Sequence, residues 1–411
     1  MNGWLTGPFH GIWPGRFEPD QSLQPPLAGV LGGMLVCYGA ALLSARQIGA
    51  RAVWAVLIAL HVIFFLGPPL LLTDVFNYSA YARVGALHGL NPYTHLPLAI
   101  RHDFVYRLSN WHHLRDPYGP LFTLFTYALV PLGIVKSYWA YKLAAAAASL
   151  GTLALVGRCA RLLGRPVVPA LILVGLNPIV LVYGLGGQHN DVFMLLPLFA
   201  AFACVLEGRD ARAGALAALA VFVKAPAVLL LPVIVLAARR TRTSAFGAAA
   251  VGLVCSAVSL VAFGAHLPFI GGQTTLQIEW SVPHAIGMAL GLGGETAGLR
   301  TVLQCLLAGG AVACWIWAWR SKRVVEPAAC VVVLMLATLS WDVPWYVLWV
   351  LPFLAFSPPR RVARPALVLV TWMTLQFLPT FPALLDRGLQ VDPWKTSVGK
   401  QAHDRFERLV N

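Results

Sequence analysis

Residues 71–93 read Leu-Leu-Thr-Asp-Val-Phe-Asn-Tyr-Ser-Ala-Tyr-Ala-Arg-Val-Gly-Ala-Leu-His-Gly-Leu-Asn-Pro-Tyr and carry the first chemistry of the chain. An apolar run without a formal charge, Ala52 to Leu72, ends abruptly at Thr73-Asp74. A run of that length crosses a bilayer as one helix, which needs about 20 apolar residues. Asp74 therefore stands where hydrocarbon gives way to water. Thr73 is placed to cap a new helix, with Asp74 in the first turn, where negative charge is favoured. Along that helix Asp74, Asn77, Tyr78 and Tyr81 recur at i, i+3, i+4 and i+7 and share a face. Gly89 and Asn91-Pro92 then stop it. A carboxylate beside amide and phenol groups at a membrane surface suits chemistry on a lipid-linked polar substrate. The plainer alternative is an acid that only caps its own helix.

Three later stretches carry polar groups inside apolar sequence: Gly186-Gly187-Gln188-His189-Asn190-Asp191, Lys224-Ala225-Pro226, and Trp341-Asp342-Val343-Pro344-Trp345-Tyr346. Ionisable residues within membrane segments are costly and are functional candidates by default. Each has a structural alternative. Asn190 or Asp191 can cap the helix that follows. Lys224 can snorkel if residues 213–238 form one straight helix. Trp341, Trp345 and Tyr346 can belong to an interfacial aromatic belt. The loop histidines His102, His112 and His113 show no spacing that defines a metal site.

The elements that must position these groups follow from composition. The chain has 411 residues, 58% hydrophobic and 11% charged, with a mean hydropathy of +0.72. Such a balance implies an all-α polytopic membrane protein and excludes a soluble globular domain. The net charge of +14 is no nucleic-acid signature. Much of it sits in short loops, at Arg46/Arg51, Arg239-Arg240-Thr241-Arg242, Arg320/Lys322/Arg323 and Arg360-Arg361/Arg364. That placement marks cytoplasmic turns and sets orientation. The 7 cysteines lie in apolar segments without C-x-x-C pairs and read as packing residues. No basic region leads directly into an apolar core at the N-terminus, so no cleaved signal peptide is expected.

About eleven or twelve spanning or re-entrant helices follow, at about 20 residues per span. Residues 1–25 form an interfacial arm, 26–382 the membrane domain, and 383–411 a polar tail of mixed charge. The first span covers about 27–44 and the second about 52–72. Arginines between them put Asp74 on the non-cytoplasmic side, at the head of a long outer loop, 74–117, of a length that is commonly functional. Residues 118–135, broken by Pro131 and Gly133, are expected to lie on or dip into the outer face. A span is expected at about 138–163, two half-helices meeting at Lys224 over 213–238, and spans at about 243–264, 301–319 and 365–382. Glu279-Trp280-Ser281-Val282-Pro283-His284 falls in an outer loop. Broken helices are tolerated where they line a polar cavity.

In order and spacing, several of these pieces together resemble the GT-C glycosyltransferases that use polyprenyl-phosphate sugars, and most closely the polyprenol-phosphomannose-dependent α-mannosyltransferases. They are Asp74-x-x-x-Tyr78 through Gly85 to Gly89-Leu90-Asn91-Pro92-Tyr93, Pro117-Tyr118-Gly119-Pro120, and Asn177-Pro178 leading to Gly187-Gln188-His189-Asn190-Asp191. Lys224-x-Pro226 and Pro344-Trp345-Tyr346 complete the set over residues 52–356. The Asp342-Val343 pair and the His-rich loop depart from the pattern. The resemblance implies a transferase of the cell membrane working at its outer face. Its donor would be a polyprenyl phosphate sugar carrying β-linked mannose, and its acceptor a hydroxyl of a lipid-anchored glycan or glycolipid. Asp74 would be the general base of an inverting transfer. Lys224 and His189 would neutralise the departing phosphate, so that a divalent metal is not required, though none is excluded. Tyr78, Asn91, Tyr93, Tyr118, Asn190, Asp191, His284, Trp345 and Tyr346 complete the expected substrate contacts. A transporter or flippase of a lipid-linked or anionic solute is the alternative from another class. Transporters are often built from paired repeats, and no second copy of the Lys224-x-Pro226 break is present.

Overall fold

The computed structural model describes residues 24–70, 74–268, 271, 275–356 and 362–410. Capping by Thr73 and nearly all of the N-terminal arm lie outside these residues. Among them there is no strand, and the architecture is the expected all-α polytopic one of GT-C type. Helices α1 (Gln24–Leu43) and α2 (Ala50–Leu66) flank a turn that contains Arg46. Helix α2 buries Val53, Leu57 and His61, a stripe at i, i+4 and i+8 that faces the bundle. Helix α3 (Asp74–Ala86) follows, and the chain turns out of it at Gly89, whose φ of +67° favours glycine.

Helix α4 (Pro120–Leu129) is separated from the 30-residue α5 (Gly133–Leu162) by a single tight turn. The expected span at 138–163 thus starts five residues earlier. Pro131 lacks an amide and Gly133 takes φ +75°, which interrupts the helical hydrogen bonding for one 3-10 turn, and the helical stretch runs on from Pro120 to Leu162.

Helix α6 (Val167–Gly175) leads through a π-helical turn, Val180–Leu185, to α7 (Asp191–Leu206). Helix α8 (Asp210–Val223) then ends where predicted. Lys224 is extended, at φ −154° and ψ 125°, and a short 3-10 turn, Ala225–Leu229, leads into α9 (Leu231–Ala237). Pro226 lacks the amide and its ring clashes with helical continuation, which breaks the segment at the lysine. Helix α10 (Thr241–Phe263) lies against α8 in backbone contact. A Cβ on Gly214 would stand 1.9 Å from the Ser244 carbonyl oxygen, and one on Gly247 2.0 Å from that of Ala211. Small residues let membrane helices approach in this way.

The remaining helices are α11 (Val282–Ala289), α12 (Ala297–Ser321), α13 (Val325–Thr338), α14 (Val347–Phe356), α15 (Ala363–Gln376), α16 (Phe381–Leu389) and α17 (Ser397–Val410). The last expected span is shorter than read, because α15 stops at Gln376 and α16 leaves it at 97°. Among the described residues four helical stretches are long and apolar enough to cross a membrane, or five if that bent pair counts as one. Several shorter apolar helices, among them α2, α7, α13 and α14, pack beside them.

Two facts orient the site. Helices α7 and α8 form a hairpin whose one end holds Asp191 and Lys224 and whose other holds Glu207–Asp210. Sixteen residues of α7 span about 24 Å at 1.5 Å each. At the far end Glu207 pairs with Arg158 and Arg209, so the polar cleft and an arginine-rich turn occupy opposite ends of the bundle. The tail does not trail away: Leu409 accepts a hydrogen bond from the His113 amide at 3.1 Å, which docks α17 on the loop that follows α3.

Candidate active site

Asp74 heads α3 with its side chain 12% exposed. Its Oδ1 accepts from Asn77 Nδ2 at 3.2 Å. Its Oδ2 faces His189 Nδ1 at 2.9 Å and the Tyr78 hydroxyl at 3.5 Å. A carboxylate offers about four lone-pair positions, so capacity remains for one more donor. Burial raises the carboxyl, yet the hydrogen bond and charge of His189 outweigh it, with Asn77 and Lys224 behind them. Asp74 is held below the ordinary carboxylate value and is ionised at neutral pH.

The helical spacing read from sequence brings Asn77 and Tyr78 to the acid and also fixes what lies beyond them. Asn77 Oδ1 accepts from the backbone amides of Asn110 and Trp111 at 3.0 and 3.2 Å. The Tyr78 hydroxyl accepts from the Asn190 amide at 3.1 Å. Its ring packs edge-on against Tyr118 and Phe122. Tyr81 turns away to the Leu114 carbonyl.

His189 lies flat on Trp345, with ring centroids 3.4 Å apart and planes at 11°, which fixes the plane of the imidazole. Its Nε2 is buried without a hydrogen-bond partner among the described residues. A Cβ on Gly187 would stand 2.7 Å from that nitrogen, so glycine is what lets the ring lie there. The histidine thus turns its free nitrogen into the protein, while the acid keeps its spare lone pair.

Lys224 Nζ donates to Asn190 Oδ1 at 3.0 Å and to Asp191 Oδ1 at 2.8 Å, and lies 5.2 Å from the Tyr346 ring centre. An ammonium has three donors, so one is left for a ligand. Trp349 Nε1 also donates to Asp191 Oδ1, at 2.8 Å. The Pro117-Tyr118-Gly119-Pro120 stretch braces this corner from behind. The Gly119 amide bonds the Val223 carbonyl at 3.2 Å, and a Cβ at 119 would sit 2.2 Å from the Phe222 oxygen. Asp116 ties the turn down through the Tyr118 amide and the Thr123 hydroxyl, and burial pushes its carboxyl up to about 7.

Asp74, Tyr118, His189, Asn190, Lys224, Trp345 and Tyr346 line one cleft of about 910 Å³, its open mouth included. Tyr78 and Asp191 support it from the second layer. The structure does not bring Asn91, Tyr93 or His284 to its wall. Asn91 holds a turn, donating to the Phe263 carbonyl at 2.6 Å and accepting from the Tyr93 amide. The Tyr93 hydroxyl bonds the Tyr118 carbonyl. His284 lies in a separate buried cluster with Gln277. Seven cleft residues were not among the expected contacts: Asn110, Trp111, Pro117, Ala225, Pro226, Trp341 and Phe406, with Trp349 behind them; Pro117, Pro226 and Trp341 stood in the candidate stretches without a contact role. Asn110 and Trp111 carry no local signal. Phe406 had one, because Val398, Ala402, Phe406 and Leu409 recur on one face of α17.

An ionised acid and an ammonium with one donor to spare in one cleft, within a polytopic helical bundle, fit a membrane-embedded transferase of GT-C type. The chain belongs to the family described as "Alpha-(1->6)-mannopyranosyltransferase, N-terminal domain", which it matches over residues 18–240. It is a mannosyltransferase and an integral membrane protein. It is 30% identical over 362 residues to the alpha-(1->6)-mannopyranosyltransferase A of Mycobacterium tuberculosis, a match covering 77% of this chain and 68% of that protein. Against the alpha-(1->6)-mannopyranosyltransferase A of Corynebacterium glutamicum it is 26% identical, over 78% of this chain and 74% of the other. No solved structure matches it.

Proposed function

We propose that the chain transfers mannose from a polyprenyl phosphate to a hydroxyl of a lipid-anchored glycan or glycolipid at the outer face of the cell membrane, with inversion. The names of its relatives support a 1→6 linkage. The observation that carries the reading is the presence of Asp74 and Lys224 in the lining of one cleft. In a single displacement the acceptor oxygen bonds the anomeric carbon while the bond from that carbon to the phosphate oxygen breaks. The acceptor proton passes to Asp74, and the departing polyprenyl phosphate gains one negative charge.

An acid with one free lone-pair position suits the first task. The third donor of Lys224 suits the second, because charge developing at the phosphate is met by a preorganised cation. His189 steadies the ionised acid. The arginine-rich turn at the far end of α7 and α8 supports the outer-face assignment, since basic turns stay in the cytoplasm. Because Lys224 meets the phosphate charge, no metal is required: full turnover in excess EDTA is expected, and loss that is restored by one divalent ion would count against it.

The purified Asp74→Asn variant in liposomes, given polyprenyl phosphomannose and a mannoside acceptor, tests the reading. The amide is nearly isosteric and cannot take the proton, and loss of a general base costs about 10²- to 10⁴-fold in rate. Near-normal transfer would reduce Asp74 to a helix-start acid.

A further inference from the structure

We infer that Trp111, Trp341 and Phe406 form the platform on which the acceptor's sugar ring rests, so that the C-terminal helix α17 supplies one wall of the acceptor subsite. This inference rests on the transferase reading of the cleft. The three rings come from segments more than 60 residues apart in the chain: the loop after α3, the segment before α14, and α17. Trp111 meets Trp341 at 6.2 Å and Phe406 at 5.6 Å between ring centres, and Trp341 meets Phe406 at 6.0 Å. All three are only partly buried, and all three line the same cleft as Asp74.

Charge divides the cleft. Lys224, with Asn190 and Tyr346, makes a polar wall with a cation for a phosphate. The aromatic trio carries no charge and presents ring faces and edges. A pyranose has one face of C–H groups and a rim of hydroxyls, and the first suits an aromatic surface while the second needs a hydrogen-bond acceptor. Ligand sites commonly combine broad apolar and aromatic area with a few placed polar groups that fix orientation. Asp74 is that polar group here. The platform is also tied to the acid, because the Trp111 amide donates to Asn77 Oδ1 at 3.2 Å and Asn77 Nδ2 donates to Asp74 Oδ1 at 3.2 Å. A sugar resting on the trio would lie two hydrogen bonds from the base that must take its proton.

Helix α17 is held against this wall rather than merely near it. Its Leu409 carbonyl accepts from His113, and the preceding turn is pinned by Thr396 Oγ1 donating to the Gly293 carbonyl at 2.5 Å. Gly399 admits the close contact, since a Cβ there would sit 2.0 Å from the Pro393 oxygen. Trp111 lies inside the region matched to the family, residues 18–240, and Trp341 and α17 lie outside it.

The test uses the full chain in detergent with octyl α-1,6-dimannoside as acceptor. Titration calorimetry reports acceptor binding, and donor-dependent transfer reports both KM values. Phe406→Leu keeps an apolar group and removes the ring. It should weaken acceptor binding and raise acceptor KM about tenfold, the loss expected when an aromatic anchor is truncated, while donor KM moves by less than about twofold. Phe406→Tyr should restore most of the affinity. Phe406→Leu with wild-type acceptor binding, or with donor and acceptor KM rising together, would overturn the platform. So would wild-type protein that binds no dimannoside. Wild-type protein that binds the dimannoside through Phe406 but transfers no mannose would instead remove the transferase reading and leave the platform standing.

Discussion

Two buried polar clusters of similar composition sit among the described residues, and one of the two opens into a cleft. The cleft cluster holds Asp74, His189, Asp191 and Lys224. The second holds Gln277, His284, Glu295, Arg300, Ser340, Asp342 and Gln376. There Glu295 Oε1 accepts from Arg300 at 2.8 Å and Ser340 at 2.7 Å, Gln376 donates to Asp342 at 3.0 Å, and His284 meets Gln277 at 3.2 Å. His284 and Asp342 are both 0% exposed. The electrostatics diverge accordingly. Asp74 has cationic partners and is held low. Burial pushes Asp342 well up, with Glu295 adding to it against the Gln376 hydrogen bond, so Asp342 keeps its proton. Acid and imidazole side chains thus make either a reactive centre or an inert brace, and what separates Asp74 from Asp342 is a cation acting on the carboxylate and an opening to the ligand.

The comparison is sharpest at its two aspartates. Asp74→Asn should cost the 10²- to 10⁴-fold in transfer expected for a lost base. Asp342→Asn replaces a protonated acid with a neutral amide of the same shape and should leave turnover within about twofold, since no change of charge accompanies it. Parallel rate measurements on the two purified variants check this. Equal losses would dissolve the distinction between the clusters.

Lys224 comes next in size, and the structure alters how it must be probed. Lys224→Met alone strands Asp191, which has Oδ2 unpartnered and buried. Breaking one side of a buried ion pair costs about 3–5 kcal/mol, so the single variant confounds folding with chemistry. Lys224→Met combined with Asp191→Asn removes both charges and should regain most of the thermal stability. If Lys224 works on the phosphate, the double variant still loses about ten- to a hundredfold in donor-dependent turnover, the worth of a charge-assisted contact at 1.4 kcal/mol per decade. A stable and fully active double variant would end that role.

How much was legible follows the range of the interactions. The grouping of Asp74, Asn77 and Tyr78 is a matter of helical spacing and was readable from those three positions. The break at Lys224 was readable from Pro226. The pairing of Lys224 with Asp191 was not, because 33 residues separate them and only the packing of α7 on α8 joins them. His284 was misassigned to the cleft for the same reason: its residue type suits a site, but its surroundings are supplied by Gln277 and Gly294. Trp341 and Asp342 show the limit most plainly. They are adjacent in sequence, yet Trp341 lines the cleft and Asp342 is sealed behind it. The tail's aromatic contribution was hidden by its charge, since an amphipathic helix with mixed polar residues reads equally well as a solvated appendage.

The smallest effect expected is one of stability, and it separates the clusters by pH. Burial lowers His284 to about 4, against about 6.5 for an unfolded chain. Between those values the unfolded chain binds a proton that the folded one does not. Stability therefore falls as pH drops through that window, at up to about 1.4 kcal/mol per pH unit. Asp342 acts with the opposite sign. Its raised value means the folded state holds a proton the unfolded chain gives up above about 3.9, so its contribution is fullest in acid and declines as pH rises. Asp74, held low, loses its contribution only as pH falls below the ordinary carboxylate range. Asp74 thus adds no pH dependence between about 4.5 and 6.5, while the sealed cluster holds two titrations of opposite sign that offset each other, so the part played by His284 shows when its ring is removed. His284→Gln keeps an amide beside Gln277 and removes the titrating ring. Melting temperature of the detergent-solubilised variant, followed from pH 6.5 to 4.5, should fall less steeply than in the wild type by a few degrees. An unchanged slope would mean that His284 is not the group whose proton the fold excludes.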